Sequence, residues 1–451
     1  MVTIFEPDAL FRAGELRFGE TLAVDARGTI VASAPTDAAR VRLPGRVMLP
    51  GLVNGHSHAF QRVLRGRTEL TNPGSSDDFW SWREAMYAAA TSLDPEGVYV
   101  VSRQAFLEMA LAGITTVGEF HYLHHQPDGT PYADEHELAA QVVRAATEVG
   151  VRLVLLRVGY ARAGFEVAPN PRQRRFLDPD VETCLRRTAE LQRRFTSPYV
   201  TVGLAPHSVR AVPRPWLTAM RAWTGVLHMH VSEQPAEIAA CLAEHGRRPI
   251  ELLDEVGLLG PSFTGVHAIH LEADEVRLLG NSKSAVCACP STERNLGDGV
   301  VRADELLAAG VTVSLGTDSQ AHVDLLDDAR QLEGHLRLLR LKRNVLTPAT
   351  GAPSALAARL LSIATEGGAR SLALPVGSLE PGRPADFVTV RRDGPLVAGL
   401  PDQALLSGLV LGGAEVADVA VAGRFIVRDR EHASAHASTQ SFLATMRQLT
   451  Q

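Results

Sequence analysis

Val47-Met48-Leu49-Pro50-Gly51-Leu52-Val53-Asn54-Gly55-His56-Ser57-His58 is the stretch from which the fold of this chain is read. An apolar run of this length, bounded by Gly and Pro, reads as a buried strand. Side chains two residues apart on a strand share a face. His56 and His58 therefore project together, about 7 Å apart along the strand. Two imidazoles so placed suit one divalent metal ion. The pair alone does not establish a site, because His-x-His also arises among surface and core histidines. The rest of the chain decides.

Working outward, the same texture recurs: an apolar segment ends in polar or histidine residues, and a helical stretch follows. Strands are expected at 47–58, 115–121, 151–160, 200–208, 226–233, 263–270, 284–290 and 311–319, with amphipathic stretches such as 180–195, 235–256 and 302–309 between them. Eight strands alternating with helices predict an α/β chain built as a (β/α)8 TIM-like barrel. No G-x-G-x-x-G follows the first strand, which argues against a dinucleotide-binding open sheet. Short alternating segments precede the barrel and return after it, so the two ends are expected to pair into one small β-domain. The boundaries read from this are 1–46 and 372–430 for the β-domain, 47–371 for the barrel and 431–451 for a C-terminal helix.

Composition narrows the class. The 451 residues are 45% hydrophobic and 21% charged, ordinary for a globular protein. A net charge of −6 gives no basic footprint for nucleic acid. The first residues hold no basic segment leading into an apolar core, and no apolar stretch reaches the length of a membrane span, so a cytoplasmic location is expected. Cys184, Cys241, Cys287 and Cys289 are too few and scattered for a disulfide framework, and Cys287 and Cys289, in an apolar strand-like run, are expected to be buried free thiols.

In such a barrel the active site lies at the carboxyl ends of the strands. Those ends collect His56 and His58, Glu119 and His121, His207, His230 and Glu233, His267, and Asp318. Three imidazoles and a carboxylate from the first, fifth and eighth strands can close on one ion and leave a place for water. An ion so held brings the pKa of that water toward neutrality.

His56-Ser57-His58, His230, His267 and Gly316-Thr317-Asp318, in that order and spacing, resemble the metal-dependent amidohydrolase superfamily. Gly382-Arg383-Pro384-Ala385-Asp386 resembles its C-terminal β-domain signature. The resemblance implies a barrel with a β-sandwich from both termini and a hydrolase acting on C–N bonds. It implies one divalent metal ion, for which zinc suits the donors, held by His56, His58, His230 and Asp318. It also implies a proton-shuttling Glu233 partnered by His267, and a homodimer. Members with two metals bridge them through a lysine on the fourth strand. This chain has no lysine before Lys283, so a mononuclear site is expected.

Narrower phrases resemble the branch that deiminates N-formimino acids. They are His56-Ser57-His58-Ala59-Phe60-Gln61-Arg62, Phe79-Trp80-Ser81-Trp82-Arg83, Glu119-Phe120-His121-Tyr122-Leu123-His124-His125, Pro206-His207-Ser208-Val209-Arg210 and Pro290-Ser291-Thr292-Glu293-Arg294-Asn295-Leu296-Gly297-Asp298-Gly299. Asn54-Gly55 and Gln320-Ala321-His322 depart from the pattern. The resemblance implies a small dicarboxylate bearing an amidine carbon as substrate. Arg83 and Arg210 can each take a carboxylate in bidentate fashion, and Gln61, Tyr122 and His207 supply further hydrogen bonds. Asp318 and His267 are expected to accept or orient the proton of the attacking water, and Glu233 to protonate the leaving nitrogen. The competing readings are a deaminase of an aminopurine ring, which offers two arginines no partner, and a barrel that has lost catalysis, which would have eroded the ligands. His121, His124 and His125 fall outside the ligand pattern and are expected to be loop or supporting residues.

Overall fold

In the computed structural model, which describes residues 1–69, 79–168, 170–349 and 351–449, the opening apolar run is two elements. Ala39–Pro50 is a strand of the terminal sheet, pairing through Val47–Pro50 with Phe387–Val390. Leu52–Ser57 is the first barrel strand, buried along its whole length. Gly51 turns the corner between them. A Cβ on it would lie 2.3 Å from Thr115 Oγ1, so only glycine lets the chain pass from one sheet to the other at this point. The apolar run expected as a single strand is thus shared between the two sheets, since an uninterrupted apolar string does not reveal a change of partner.

The barrel strands are β1 (Leu52–Ser57), β2 (Ile114–His121), β3 (Arg152–Gly159), β4 (Val200–Pro206), β5 (Leu227–Val231), β6 (Phe263–His267), β7 (Ala285–Ala288) and β8 (Thr312–Leu315). Each pairs in parallel with the next in chain order, forming the expected eight-stranded α/β barrel. At the carboxyl end a bridge between Ser57 and Asp318 joins the two ends of the row. The strands read as apolar throughout because helices cover their outer face while side chains fill the inner one.

The terminal strands form one curled eight-stranded sheet. Thr3–Arg12 pairs in parallel with Ala39–Pro50, which pairs antiparallel with Phe387–Arg391. Val416–Val421 and Arg424–Val427 extend the row. Phe5, Leu10, Leu22, Met48, Phe387 and Ala420 fill its separate core. The C-terminal helix, Ala435–Gln448, lies against Pro95–Leu111, with a hydrogen bond from Ser438 Oγ to Gln104 Oε1 of 3.1 Å. All four cysteines are buried and free. No helix among the described residues is long and apolar enough to cross a membrane.

One buried carboxylate ties the two units. Asp386 accepts from Arg152 at the start of β3 (Nη2–Oδ1 3.0 Å) and from the Ala422 amide (2.7 Å). Its carbonyl accepts from the Gly51 amide at 3.0 Å. Both partners are buried, so removing one strands the other's charge. Asp386→Ala is expected to lower unfolding stability by about 3–5 kcal/mol, measured by chemical denaturation against the parent chain. A loss below 1 kcal/mol would mean the pair does not hold the sheet to the barrel.

Candidate active site

The site begins where β1 meets the segment after β8. The Asp318 amide donates to the His56 carbonyl (3.1 Å) and the His58 amide to the Asp318 carbonyl (3.0 Å). Asn54 reinforces this seam: its Oδ1 accepts from the Thr317 amide at 3.0 Å, and its Nδ2 donates to Thr317 Oγ1 at 2.7 Å. Gln320 Nε2 donates to Ser57 Oγ and to the Asp318 carbonyl, both at 3.0 Å. Glu119 at the end of β2 accepts from Ser57 Oγ (2.6 Å) and the Ala59 amide (2.7 Å), bracing the turn that carries both histidines. Burial pushes its carboxyl up to about 8 in spite of those bonds. A Cβ on Gly316 would lie 2.8 Å from the His56 carbonyl, so the closure requires glycine there.

Four donors converge inside this seam. The Nε2 atoms of His56, His58 and His230 stand 3.1–3.4 Å apart, and Asp318 Oδ1 lies 3.3 Å from that of His58 and 3.5 Å from that of His56. Tetrahedral coordination with bonds of about 2.1 Å puts donors about 3.4 Å apart. His58 Nδ1 donates to the Phe120 carbonyl (3.0 Å) and His230 Nδ1 to that of His207 (3.2 Å). Those bonds place the hydrogen on Nδ1 and turn a lone pair of each Nε2 inward. Facing lone pairs repel unless a cation lies between them, so the donor set fits a divalent ion. Burial pushes His56 down to about 3, favouring the neutral ligand form. Asp318 is held well below the usual carboxylate range: burial opposes its charge, but His56, His267 and His58 outweigh it.

His267 stands beside the cluster. Its Nδ1 bonds Glu293 Oε1 (3.3 Å), while its Nε2 lies 3.6 Å from Glu233 Oε1 and 3.7 Å from Asp318 Oδ2. Burial disfavours its charge, but Glu233, Glu293 and Asp318 together hold its pKa well above the ordinary histidine value. His267 (φ +68°) and Asp318 (φ +44°) both have left-handed backbones, a strain found where surrounding bonds over-determine a functional side chain.

Gln61, Arg83, Tyr122, His207 and Arg210 line one cavity together with His58, His230, Glu233, His267 and Asp318. All five residues expected to contact substrate are therefore brought to the histidine–aspartate cluster. Gln61 donates to Tyr122 Oη (3.0 Å), and His207 Nδ1 meets Ser208 Oγ at 3.0 Å. Arg210 is shared: its Nε lies 3.4 Å from Glu237 and its Nη2 3.5 Å from Glu233. Arg83 reaches the cavity from the helix Phe79–Ser92 in the long first crossover. Asp77, Asp78 and the Trp80 side chain lie outside the described residues.

Sequence reasoning missed Tyr87, Tyr160 and Glu293. Tyr160 immediately follows β3, where the strand-end rule pointed. Tyr87 is one helical turn beyond Arg83 and so on its face. Glu293 stood inside a quoted phrase without a role. His121, His124 and His125 do not line the cavity. His124 and His125 instead meet the carbonyls of Val158 (2.8 Å) and Leu177 (2.9 Å), fastening the loops after β2 and β3.

The amidohydrolase family model matches residues 47–424. The formimidoylglutamate deiminase of Pseudomonas aeruginosa is 37% identical over the full length of both chains. The 8-oxoguanine deaminase of the same organism is 32% identical over 95% of this chain and 92% of its own. The crystal structure of an amidohydrolase from Brucella melitensis superposes over all of both chains with a TM-score of 0.88 at 32% identity.

Burial pushes His121 down to about 3 and His124 well below the usual histidine value, with Arg157 adding to both shifts. The folded state then refuses protons that the unfolded chain accepts below about pH 6.5. Stability contributed by these neutral imidazoles is whole above that pH and falls as acid is added toward pH 3. His121→Gln is expected to flatten the acid limb by about one proton, or about 1.4 kcal/mol per pH unit. Urea unfolding at pH 6, 5 and 4 measures it.

Proposed function

The chain belongs to the amidohydrolase family, and from that premise we propose that it hydrolyses N-formimino-L-glutamate to N-formyl-L-glutamate and ammonia, a step of histidine degradation. The observation that carries the substrate is that two guanidiniums, Arg83 and Arg210, line the cavity that contains the histidine–aspartate cluster. A dicarboxylate uses both. The full-length likeness to a formimidoylglutamate deiminase supports the same reading.

His56, His58, His230 and Asp318 would hold one divalent ion, zinc by the nature of the donors, whose chemistry is to make water nucleophilic at neutral pH. Arg83 and Arg210 bind the carboxylates, and Tyr122 and His207 complete their hydrogen bonding. His267, fixed by Glu293, orients the incoming water, and Asp318 Oδ2 receives its proton. The water oxygen adds to the formimino carbon. Glu233 carries to the terminal nitrogen first the proton taken from the water and then the proton of the added hydroxyl; the carbonyl forms, the bond to that nitrogen breaks, and ammonia leaves. Arg210 keeps Glu233 turned into the cavity through its 3.5 Å contact.

The second reading is a deaminase of an aminopurine ring, favoured by the likeness to an 8-oxoguanine deaminase over 95% of this chain. Ammonia release from N-formimino-L-glutamate, 8-oxoguanine and adenosine by zinc-loaded protein separates the two. Turnover of the formimino acid alone is expected, and turnover of a purine alone would overturn the substrate assignment. Glu233→Gln is expected to lower kcat by about 10²–10⁴-fold while bound zinc, measured by atomic absorption, stays at one equivalent. Parent-like turnover in that variant would remove Glu233 from the proton path.

A further inference from the structure

Resting on the formimino-dicarboxylate reading, we propose that Tyr87, Gln173 and Tyr160 form a neutral clamp that, with the arginines, takes the substrate carboxylate farther from the reacting carbon and so selects chain length. Gln173 lies on the short helical segment Pro171–Phe176 in the connection after β3 and is buried. Its amide is oriented by the segment itself, because the Asn170 amide donates to Gln173 Oε1 at 3.4 Å. Nε2 therefore faces the tyrosines, 2.6 Å from Tyr160 Oη and 3.0 Å from Tyr87 Oη.

An amide nitrogen only donates. Both of its hydrogens are spent on the two hydroxyls, so each tyrosine accepts from Gln173 and retains its own hydrogen. At most one of those two hydrogens can be used between the hydroxyls, which leaves at least one for another acceptor. Both tyrosines line the cavity. Burial raises the pKa of Tyr87 far above working pH, so it stays a donor.

The acceptor these groups suit is an anion. The Arg83 guanidinium lies 5.6 Å from the Tyr87 ring centre, and the Tyr160 ring lies 4.6 Å from that of His207. Arg210 is already divided between Glu237 and Glu233. A carboxylate presents about four lone-pair positions, more than a shared arginine fills. The tyrosines supply the missing donors without adding charge. Met86 and Phe176 form apolar wall beside them, so a chain lacking the far carboxylate would leave the hydroxyls unpaired.

The test compares N-formimino-L-glutamate with N-formiminoglycine, which lacks the far carboxylate, in Tyr87→Phe, Tyr160→Phe and Gln173→Glu. Each phenylalanine variant is expected to lower the ratio of the two kcat/KM values about tenfold, through KM, as for a lost hydrogen bond to a charged group. Gln173→Glu keeps the shape but accepts from the tyrosines and draws their hydrogens out of the cavity. The same fall in ratio is expected, with the thermal midpoint held. A purely structural role would slow both substrates together, and an unchanged ratio in all three variants overturns the clamp. Silence of the parent enzyme on both substrates would overturn the proposed reaction instead. The clamp is then read by calorimetry with glutarate and butyrate. A preference for glutarate that Tyr160→Phe abolishes supports the clamp, and no preference in the parent overturns it.

Discussion

The two hydrogen bonds between Asp318 and the His56–His58 segment are the constraint on which the rest depends. They join the last strand to the first, so the ring is closed by His56, His58 and Asp318, three of the four residues of the histidine–aspartate cluster. Backbone closure and ligand placement are therefore one event. Asn54, Gln320, Ser57 and Glu119 brace that seam from outside the ligand set. Gln320 and the Asn54-Gly55 pair, which depart from the expected family phrases, sit at the closure and hold it.

Around the seam the chain buries an unusual number of charges. Asp318, Glu293, Glu233, Glu237 and His267 are buried in one region, with the partly buried Arg210 at its side. Each disfavours burial alone and is tolerated because its neighbour carries the opposite sign or a hydrogen-bonding partner. The order of contacts is functional in form. Glu237 meets Arg210, Arg210 meets Glu233, Glu233 meets His267, and His267 lies between Glu293 and Asp318. The proposed proton path uses only the part of that chain from Glu233 past His267 to Asp318. Such a network is preorganised, so its dipoles need no rearrangement when charge develops on a reacting group.

The terminal sheet serves the barrel from the opposite side. Gly51 passes the chain from one to the other, and Asp386 pins the corner through its carbonyl and its pairing with Arg152. This gives a structural reason for the Gly382–Asp386 phrase, which resembled a family signature: the aspartate at its end is the bolt between two sheets. The long first crossover contributes differently, since its helix carries Arg83 and Tyr87 over the cavity mouth from a region no barrel strand occupies.

The sequence by itself determined the eight strands, their alternation with helices and the residues at their carboxyl ends. These are properties of local periodicity and of single positions: burial on both faces makes a strand apolar, and function makes its end polar. It also carried the family, because the order of His56, His58, His230, His267 and Asp318 is linear information. Only the tertiary structure decided that Val47–Pro50 belongs to the terminal sheet, since an apolar residue satisfies either core. It alone decided that Arg210 is shared with two glutamates, and that Tyr87 and Tyr160 meet over Gln173. Those facts depend on contacts between residues 13 to 86 positions apart. No pattern along the chain encodes a donor count. Hydrogen bonds assign it once the backbone has closed.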